Sequence, residues 1–138
     1  MTISPDTLAT DGFGTLFKLL NEGGGNAGFE TSAATTTNII PTSLYVRTVP
    51  PGSTLTIRIA IVAVNSSGLT VGKFIREMTA KRVGTAFAIL LQDLVPSPDY
   101  TENINLAVSC SVNGTNAVVL VQGLAATVVW HGLAEVLS

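Results

Sequence analysis

The sequence predicts an all-β protein, an antiparallel β-sandwich or jelly roll of about seven to eight strands. Apolar and polar residues alternate over long stretches, which places one set of side chains on a buried face. Val and other β-branched residues fill the apolar runs, and turn residues interrupt the chain about every 8–15 residues. The 138 residues are enough for one domain with a hydrophobic core.

Residues 1–38 are predicted to form an N-terminal arm and linker that precedes the β domain of residues 39–138. Thr15 is placed to cap a short helix, which Gly23-Gly24-Gly25 would end. The polar stretch 31–38 is an extended linker or an edge strand. The side chains at helical spacing that would form the apolar face of the short helix are Phe13, Leu16, Phe17 and Leu20.

This short helix needs a docking surface, because isolated helices of under about 12 residues are marginal in water. Two surfaces are open to it, namely its own sandwich or a neighbouring chain. We expect the neighbouring chain, since the glycines and the Thr-rich stretch give the arm reach. The arm is therefore predicted to take part in assembly or attachment.

The first half of the β domain contains two clear strands. Leu44, Val46 and Thr48 alternate until Pro50-Pro51-Gly52 ends the strand, because two prolines cannot sit in a paired strand. A long second strand follows, and its first face is apolar throughout: Leu55, Ile57, Ile59, Ile61 and Ala63. Its other face begins polar but ends with Val62 and Val64. This change predicts a strand that runs from solvent into an interface, so Val62 and Val64 join the predicted assembly residues.

The second half contains the remaining strands. Two are predicted near residues 71–79 and 85–94, and alternation over residues 104–112 predicts another. Asn113-Gly114 then predicts a tight hairpin turn. A Val-rich strand returns from it, and the last strand passes through Trp130, which we expect to be buried in the core.

The composition of the chain limits the kinds of partner that it can bind. Hydrophobic residues make up 46% of the chain and charged residues 12%, against roughly 25% charged in an average domain. Much of the surface is therefore expected to lie against other chains or in a membrane. The apolar stretch 117–134 is interrupted by Gln122, Gly123 and His131 and is rich in Val, which favours strands over a membrane helix. The net charge of -2 and the scattered basic residues argue against nucleic acid.

No residue pattern predicts catalysis, a metal site or a cofactor. Cys110 lies in the apolar phase of its strand and is expected to be a small buried residue, with His131 facing away from the core. One Cys and one His do not make a closed zinc site. Asp93, Asp99 and Glu102 lie near one another around two prolines, where a solvated loop is favoured over a carboxylate pair.

Several segments together resemble a β-sandwich module of tailed-bacteriophage virion proteins. They are Thr35-Thr36-Thr37-Asn38, Thr48-Val49-Pro50-Pro51-Gly52-Ser53-Thr54, Asn113-Gly114-Thr115-Asn116 and Thr127-Val128-Val129-Trp130. The resemblance covers roughly residues 35–137, and the stretch 73–94 is more apolar than the pattern. Such modules occur in capsid decoration (cement) proteins, head fibres and tail fibres, and they often form trimers.

The resemblance implies a non-enzymatic virion protein. The leading hypothesis is a trimeric capsid decoration protein that stabilises the head by bridging subunits of the major capsid protein. The alternative is a tail-fibre or receptor-binding module that contacts a host surface glycan. The implied location is the outer surface of the virion. The first residues lack the basic and apolar regions of a secretory signal, so synthesis in the host cytoplasm is expected.

Overall fold

A computed structural model describes residues 29–137, and within them the chain forms nine strands. They are β1 (Phe29–Thr36), β2 (Thr42–Thr48), β3 (Thr54–Asn65), β4 (Thr70–Arg82), β5 (Ala88–Leu94), β6 (Tyr100–Thr101), β7 (Ala107–Asn113), β8 (Asn116–Gln122) and β9 (Val128–Leu137). The all-β, antiparallel prediction is confirmed. Eight of the strands, β2–β9, lie within the predicted β domain, and the ninth is β1, in the segment that the sequence left open between a linker and an edge strand.

The strands form two antiparallel sheets. The larger one has the order β1-β9-β3-β4-β5, with β6 also paired to β4, and the smaller one has the order β2-β8-β7. The smaller sheet packs against one face of the larger sheet, and we call that side of the larger sheet the inner face. Its opposite side is the outer face. Apolar residues from both sheets meet between the layers in one core.

The inner face of the long strand β3 follows the predicted alternation. Its apolar residues at positions 55, 57, 59, 61 and 63 are all buried in the core. The strand also becomes buried on both sides over residues 59–63, as the change of its second face from polar to apolar indicates.

Trp130 lies in the centre of the core and is fully buried. Its ring packs against Phe74, with the ring centroids 5.9 Å apart. Its indole Nε1–H donates a hydrogen bond of 2.9 Å to the Thr36 hydroxyl on β1. The prediction that Trp130 is a core residue is confirmed, and the same side chain joins the last strand to the first one.

Of the two predictions for residues 31–38, a linker or an edge strand, the structure shows the edge strand. Residues 29–36 pair with β9 in antiparallel register, from Phe29 opposite Glu135 to Thr36 opposite Val128. The predicted boundary between the N-terminal arm and the β domain, at residues 38 and 39, stays a prediction. The strand β1, which precedes this boundary, is part of the larger sheet. The predicted short helix and its face of Phe13, Leu16, Phe17 and Leu20 lie outside the described residues.

The hairpin between β7 and β8 has its turn one residue later than predicted. Asn113 is the last residue of β7, opposite Asn116, so Gly114 and Thr115 form the two-residue loop. Gly114 has a φ of 61°, and no non-glycine residue between 29 and 137 has a positive φ. The glycine alone therefore supplies the left-handed conformation that this turn needs.

Candidate assembly surface

The edge of the larger sheet formed by β5 exposes an apolar strip. Four side chains share this surface and are each about half exposed: Ile89, Leu91, Leu94 and Val95. Their exposure follows from the topology, because β5 pairs only with β4 and lies at the end of the sheet. We call these four residues the β5 strip.

A β-bulge shapes the middle of this strip. Thr79 pairs with Gln92 and Ala80 pairs with Leu90, so Leu91 is an extra residue with no partner on β4. Bulges at sheet edges redirect side chains and increase the local twist. Here the bulge presents the Leu91 side chain to solvent, with 55% of it exposed.

Two aromatic residues extend the apolar surface at either end. Phe87 directly precedes β5 and is 77% exposed, whereas Tyr100 lies on β6, which pairs with β4 along the same edge. The Tyr100 hydroxyl donates a hydrogen bond of 2.7 Å to Glu102 Oε2, and this bond raises the pKa of the tyrosine. The edge thus combines apolar and aromatic groups.

The β5 edge carries two features that natural sheet edges use against strand pairing, the β-bulge and an inward charge, but no exposed basic residue or proline within the strand. Exposed edge strands are commonly blocked by Lys, Pro or inward charges. The sequence of β5, AILLQDL, contains no Lys, Arg or Pro. Its single charged residue, Asp93, is exposed and faces the inner side of the strand near Cys110, so it is an inward charge of this kind. The exposed apolar side chains of the β5 strip make this edge a candidate surface for another chain.

An ion pair between a buried arginine and a partly exposed aspartate holds the loop that follows β5. Arg76 lies on the inner face between Phe74 and Met78 and is a buried charged residue. Its guanidinium donates two hydrogen bonds to the Asp99 carboxylate, at 2.6 and 2.7 Å. These bonds raise the pKa of Arg76 above its ordinary value, so the arginine stays charged. The pair ties residues 95–99 to β4.

Two backbone carbonyls complete the surroundings of this arginine. Arg76 also donates to the carbonyl oxygens of Ile75, at 3.0 Å, and Val108, at 3.4 Å. Its guanidinium carbon lies 5.7 Å from the centre of the Phe74 ring. A buried charge is costly unless it is paired and hydrogen-bonded, and here it is both.

The carboxylates near the prolines, for which the sequence favours a solvated loop over a carboxylate pair, have separate partners in the structure. Asp99 binds Arg76, and Glu102 accepts the hydrogen bond from Tyr100. The sequence did not identify the role of Asp99. A sign of a buried ion-pair partner was present in the sequence, because Arg76 lies between Phe74 and Met78 and so places a charge in the apolar phase of a strand.

Cys110 is a buried free thiol on β7, as predicted. Burial raises its pKa from an ordinary value of 9.0 to about 12, and the nearby Asp93 adds to the rise. A thiol with such a pKa is protonated at neutral pH and is a poor nucleophile. His131 lies half-buried on the outer face, away from this cysteine, as expected from the burial of Trp130.

The raised pKa of Cys110 predicts a pH-dependent effect. Below pH 9 the thiol is protonated in both folded and unfolded chains, and as the pH rises towards 12 only the unfolded chain loses the proton. Its contribution to stability is therefore lost over this range. We expect Cys110→Ala to gain about 2 kcal/mol relative to the wild type between pH 9 and pH 11.

Urea unfolding at several pH values measures this difference. Tyr45, whose pKa burial also raises to about 12, is present in both proteins and cancels in the comparison. Ser109→Ala, an exposed neighbour on the same strand, is the control and should show a constant difference from the wild type. A Cys110→Ala difference that is equally constant would contradict a buried, protonated thiol.

The predicted assembly residues on β3 lie on the outer face. Val62 is fully buried and Val64 is partly buried, both in a small apolar cluster on that side of the larger sheet. Two residues of the β5 strip, Ile89 and Leu94, lie on the same face but two strands away, and sequence patterns did not indicate that strip as a surface. Their role in assembly stays a prediction.

Among residues 29–137, no group of three or more His, Cys, Asp or Glu side chains is placed to hold a metal ion. The apolar stretch that hydropathy singles out forms β8 and β9. In the described part of the chain, no helix has the length and apolar character needed to cross a bilayer.

The sequence matches no protein-family model and no curated protein. Solved structures with some similarity are tailspike proteins of Acinetobacter phages. That of A. baumannii phage AM24 is 12% identical, with a TM-score of 0.41 over 78% of this chain. That of phage vB_ApiP_P1 is 11% identical, with a TM-score of 0.46 over 80% of this chain.

A third solved structure is the tailspike protein gp49 of A. baumannii bacteriophage Fri1, described as a capsular polysaccharide depolymerase. It is 16% identical to this chain, with a TM-score of 0.40 over 78% of it. The matched regions are 25%, 21% and 17% of the three tailspike chains. This chain thus spans a quarter or less of the length of each.

Proposed function

We propose that this chain is a non-enzymatic structural protein of a bacteriophage virion that works as a homotrimer. The observation that carries the proposal is the β5 strip, a set of exposed apolar side chains at a sheet edge of a domain in which only 12% of residues are charged. A permanent interface between chains is more apolar than ordinary surface. The β5 strip is the surface that a second copy would cover.

The leading role within the virion is capsid decoration. A trimer that bridges several subunits of the major capsid protein acts as a multivalent clamp, because the loss of one contact no longer releases a subunit. This mechanism needs a rigid body and no chemistry. The two packed sheets and the Arg76–Asp99 ion pair supply such a body.

A tail-fibre or receptor-binding module is the second candidate, and the exposed aromatic residues favour it. Phe87 and Tyr100 present their rings to solvent at the two ends of the β5 strip. Aromatic rings beside a carboxylate such as Glu102 suit the apolar faces and hydroxyl groups of a sugar. The number of copies per particle separates the two roles, since hundreds indicate head decoration and a handful indicate a tail or fibre.

Light scattering coupled to size-exclusion chromatography tests the oligomeric state. We expect the full chain at micromolar concentration to have three times the monomer mass of 14.3 kDa. Leu91→Asp should dissociate it, because a charge in an apolar interface lacks a partner. The matched control is Val46→Asp, a half-exposed valine on the smaller sheet, which should leave the mass unchanged.

Two results would contradict this proposal. A wild-type chain with the monomer mass would refute the trimer. A Leu91→Asp chain that keeps the trimer mass, with the β-sheet circular dichroism of the wild type, would refute the β5 strip as its interface.

A further inference from the structure

The outer face of the larger sheet carries a small apolar cluster whose burial needs a cover. Its buried residues are Ala60, Val62, Ile75 and Leu133. Val62 is 0% exposed, and the exposure of the other three is between 1% and 7%. Phe29 and Val64 are partly buried and pack against this cluster. We call the four buried residues the outer cluster.

The outer cluster lies on the side of the larger sheet away from the second layer. Neighbouring strands put its members beside one another, with Ala60 opposite both Ile75 and Leu133. Between residues 29 and 137, the second layer is the smaller sheet, which packs on the inner face. Side chains on one face of a sheet stand out from it, so their tips stay exposed unless another layer covers them. Complete burial of Val62 therefore requires a further segment on this side.

The pattern of exposure around the cluster gives the size of that segment. Thr31 and Ala33 on β1 are exposed on the same face, and so are Thr54 and Lys81 towards one end of β3 and β4. The covered zone is thus centred on three strands, β4, β3 and β9. The distance from β4 across β3 to β9 is two strand spacings, or about 10 Å. One helix with its side chains has about this diameter, so a single helix is wide enough to cover the zone.

The edge of the covered zone is polar. Arg58 and Glu77 form an ion pair across β3 and β4, and both are half-buried. His131 and Glu135 on β9 are also half-buried. A segment that fits here has an apolar side for the cluster and a polar side for solvent, which describes an amphipathic helix.

We infer that residues 1–28 of the same chain cover the outer cluster. Chain continuity supports this occupant, because the segment joins β1 at Phe29, whose side chain already packs against the cluster. Reach is sufficient, since a flexible chain of this length spans about 25–30 Å. The predicted apolar face of the segment supplies the matching groups: Phe13, Leu16, Phe17 and Leu20. Of the two docking places that the sequence leaves open, this is the chain's own sandwich.

Thiol protection at position 62 tests the inference in the full chain. The variant Val62→Cys has two thiols, the introduced one on the outer face and the native Cys110 in the main core. Iodoacetamide labelling followed by trypsin digestion separates them, because cleavage after Arg58, Lys73 and Arg82 gives peptides 59–73 and 83–138. We expect both thiols to be protected, with position 62 labelled at least tenfold more slowly than a small-molecule thiol.

The arm is then disrupted in the Val62→Cys background. Leu16→Asp combined with Phe17→Asp should speed the labelling of peptide 59–73 at least tenfold and leave peptide 83–138 protected. Lys18→Asp, which puts the same acidic residue at a polar position of the segment, is the control and should change neither rate. If the double change also unprotects Cys110, the single change Phe17→Ala replaces it as the milder variant.

Three outcomes would overturn the inference. Rapid labelling of position 62 in the intact chain would show that nothing covers the outer cluster. An unchanged labelling rate of position 62 both in the double change of Leu16 and Phe17 and in Phe17→Ala would show that another group covers the outer cluster. A labelling rate that rises on dilution would show that the cover comes from a second copy of the chain.

Discussion

Trp130→Ala is expected to lower the free energy of unfolding by about 3–5 kcal/mol. The side chain is fully buried, packs on Phe74 and donates its indole N–H to Thr36. Truncation removes a large apolar area, leaves a cavity and leaves the Thr36 hydroxyl without this donor. Typical domains are stable by about 5–15 kcal/mol, so the variant loses a large part of its stability.

Urea unfolding followed by far-UV circular dichroism measures this loss, since the chain has a single tryptophan and the variant has no indole fluorescence. Trp130→Phe keeps an aromatic ring but not the N–H donor, and we expect it to cost less than the alanine variant. Leu137→Ala, at a 44% exposed position on the same strand, is the control and should cost under about 1 kcal/mol. A Trp130→Ala midpoint equal to that of the control would contradict the central position of this residue.

Asp99→Asn is expected to have the second largest effect, about 2–3 kcal/mol of destabilisation. The change leaves the Arg76 charge buried without its carboxylate, and removal of one partner of a buried pair costs about 3–5 kcal/mol. The Asp99 side chain is 32% exposed, so solvent screens part of this cost. The loop of residues 95–99 should also lose its anchor on β4.

The control is Glu102→Gln, which removes a carboxylate from the same region but breaks only its exposed hydrogen bond with Tyr100. We expect a change within about 0.5 kcal/mol for this variant. Replacement of both partners, in Arg76→Met with Asp99→Asn, should recover stability relative to Asp99→Asn alone, because no buried charge remains. If Asp99→Asn and Glu102→Gln unfold at the same urea concentration, the ion pair contributes nothing.

The ion pair and the β5 strip are linked through the fold. Residues 95–99 follow β5 directly, so the anchor of Asp99 on Arg76 holds the end of the strand that carries Leu94. Loss of the pair should therefore affect assembly as well as stability. Asp99→Asn offers a way to weaken the proposed interface without changing any of its apolar side chains.

Local patterns in the sequence determined the fold class. Alternation in β3 and β7, the turn glycines and the Val-rich final strands each depend on residues that are close in sequence, so they can be seen without the structure. The burial of Trp130 and Cys110 follows from the same alternation. The division of β3 into a one-sided and a two-sided half was also visible, because Val62 and Val64 break the polar phase.

Only the tertiary structure decided which surfaces are open. Val62 looks like an interface residue in the sequence but is fully buried in one chain, whereas Ile89 and Leu91 lie in a predicted strand with no sign of a surface and are exposed. The reason is that strand order is a long-range property: β5 lies at an edge and β3 lies in the centre of the larger sheet. The pairing of Arg76 with Asp99, 23 residues apart, depends on the same long-range packing. Periodicity within a strand shows which face is apolar, but only the neighbouring strands and layers decide whether that face is covered.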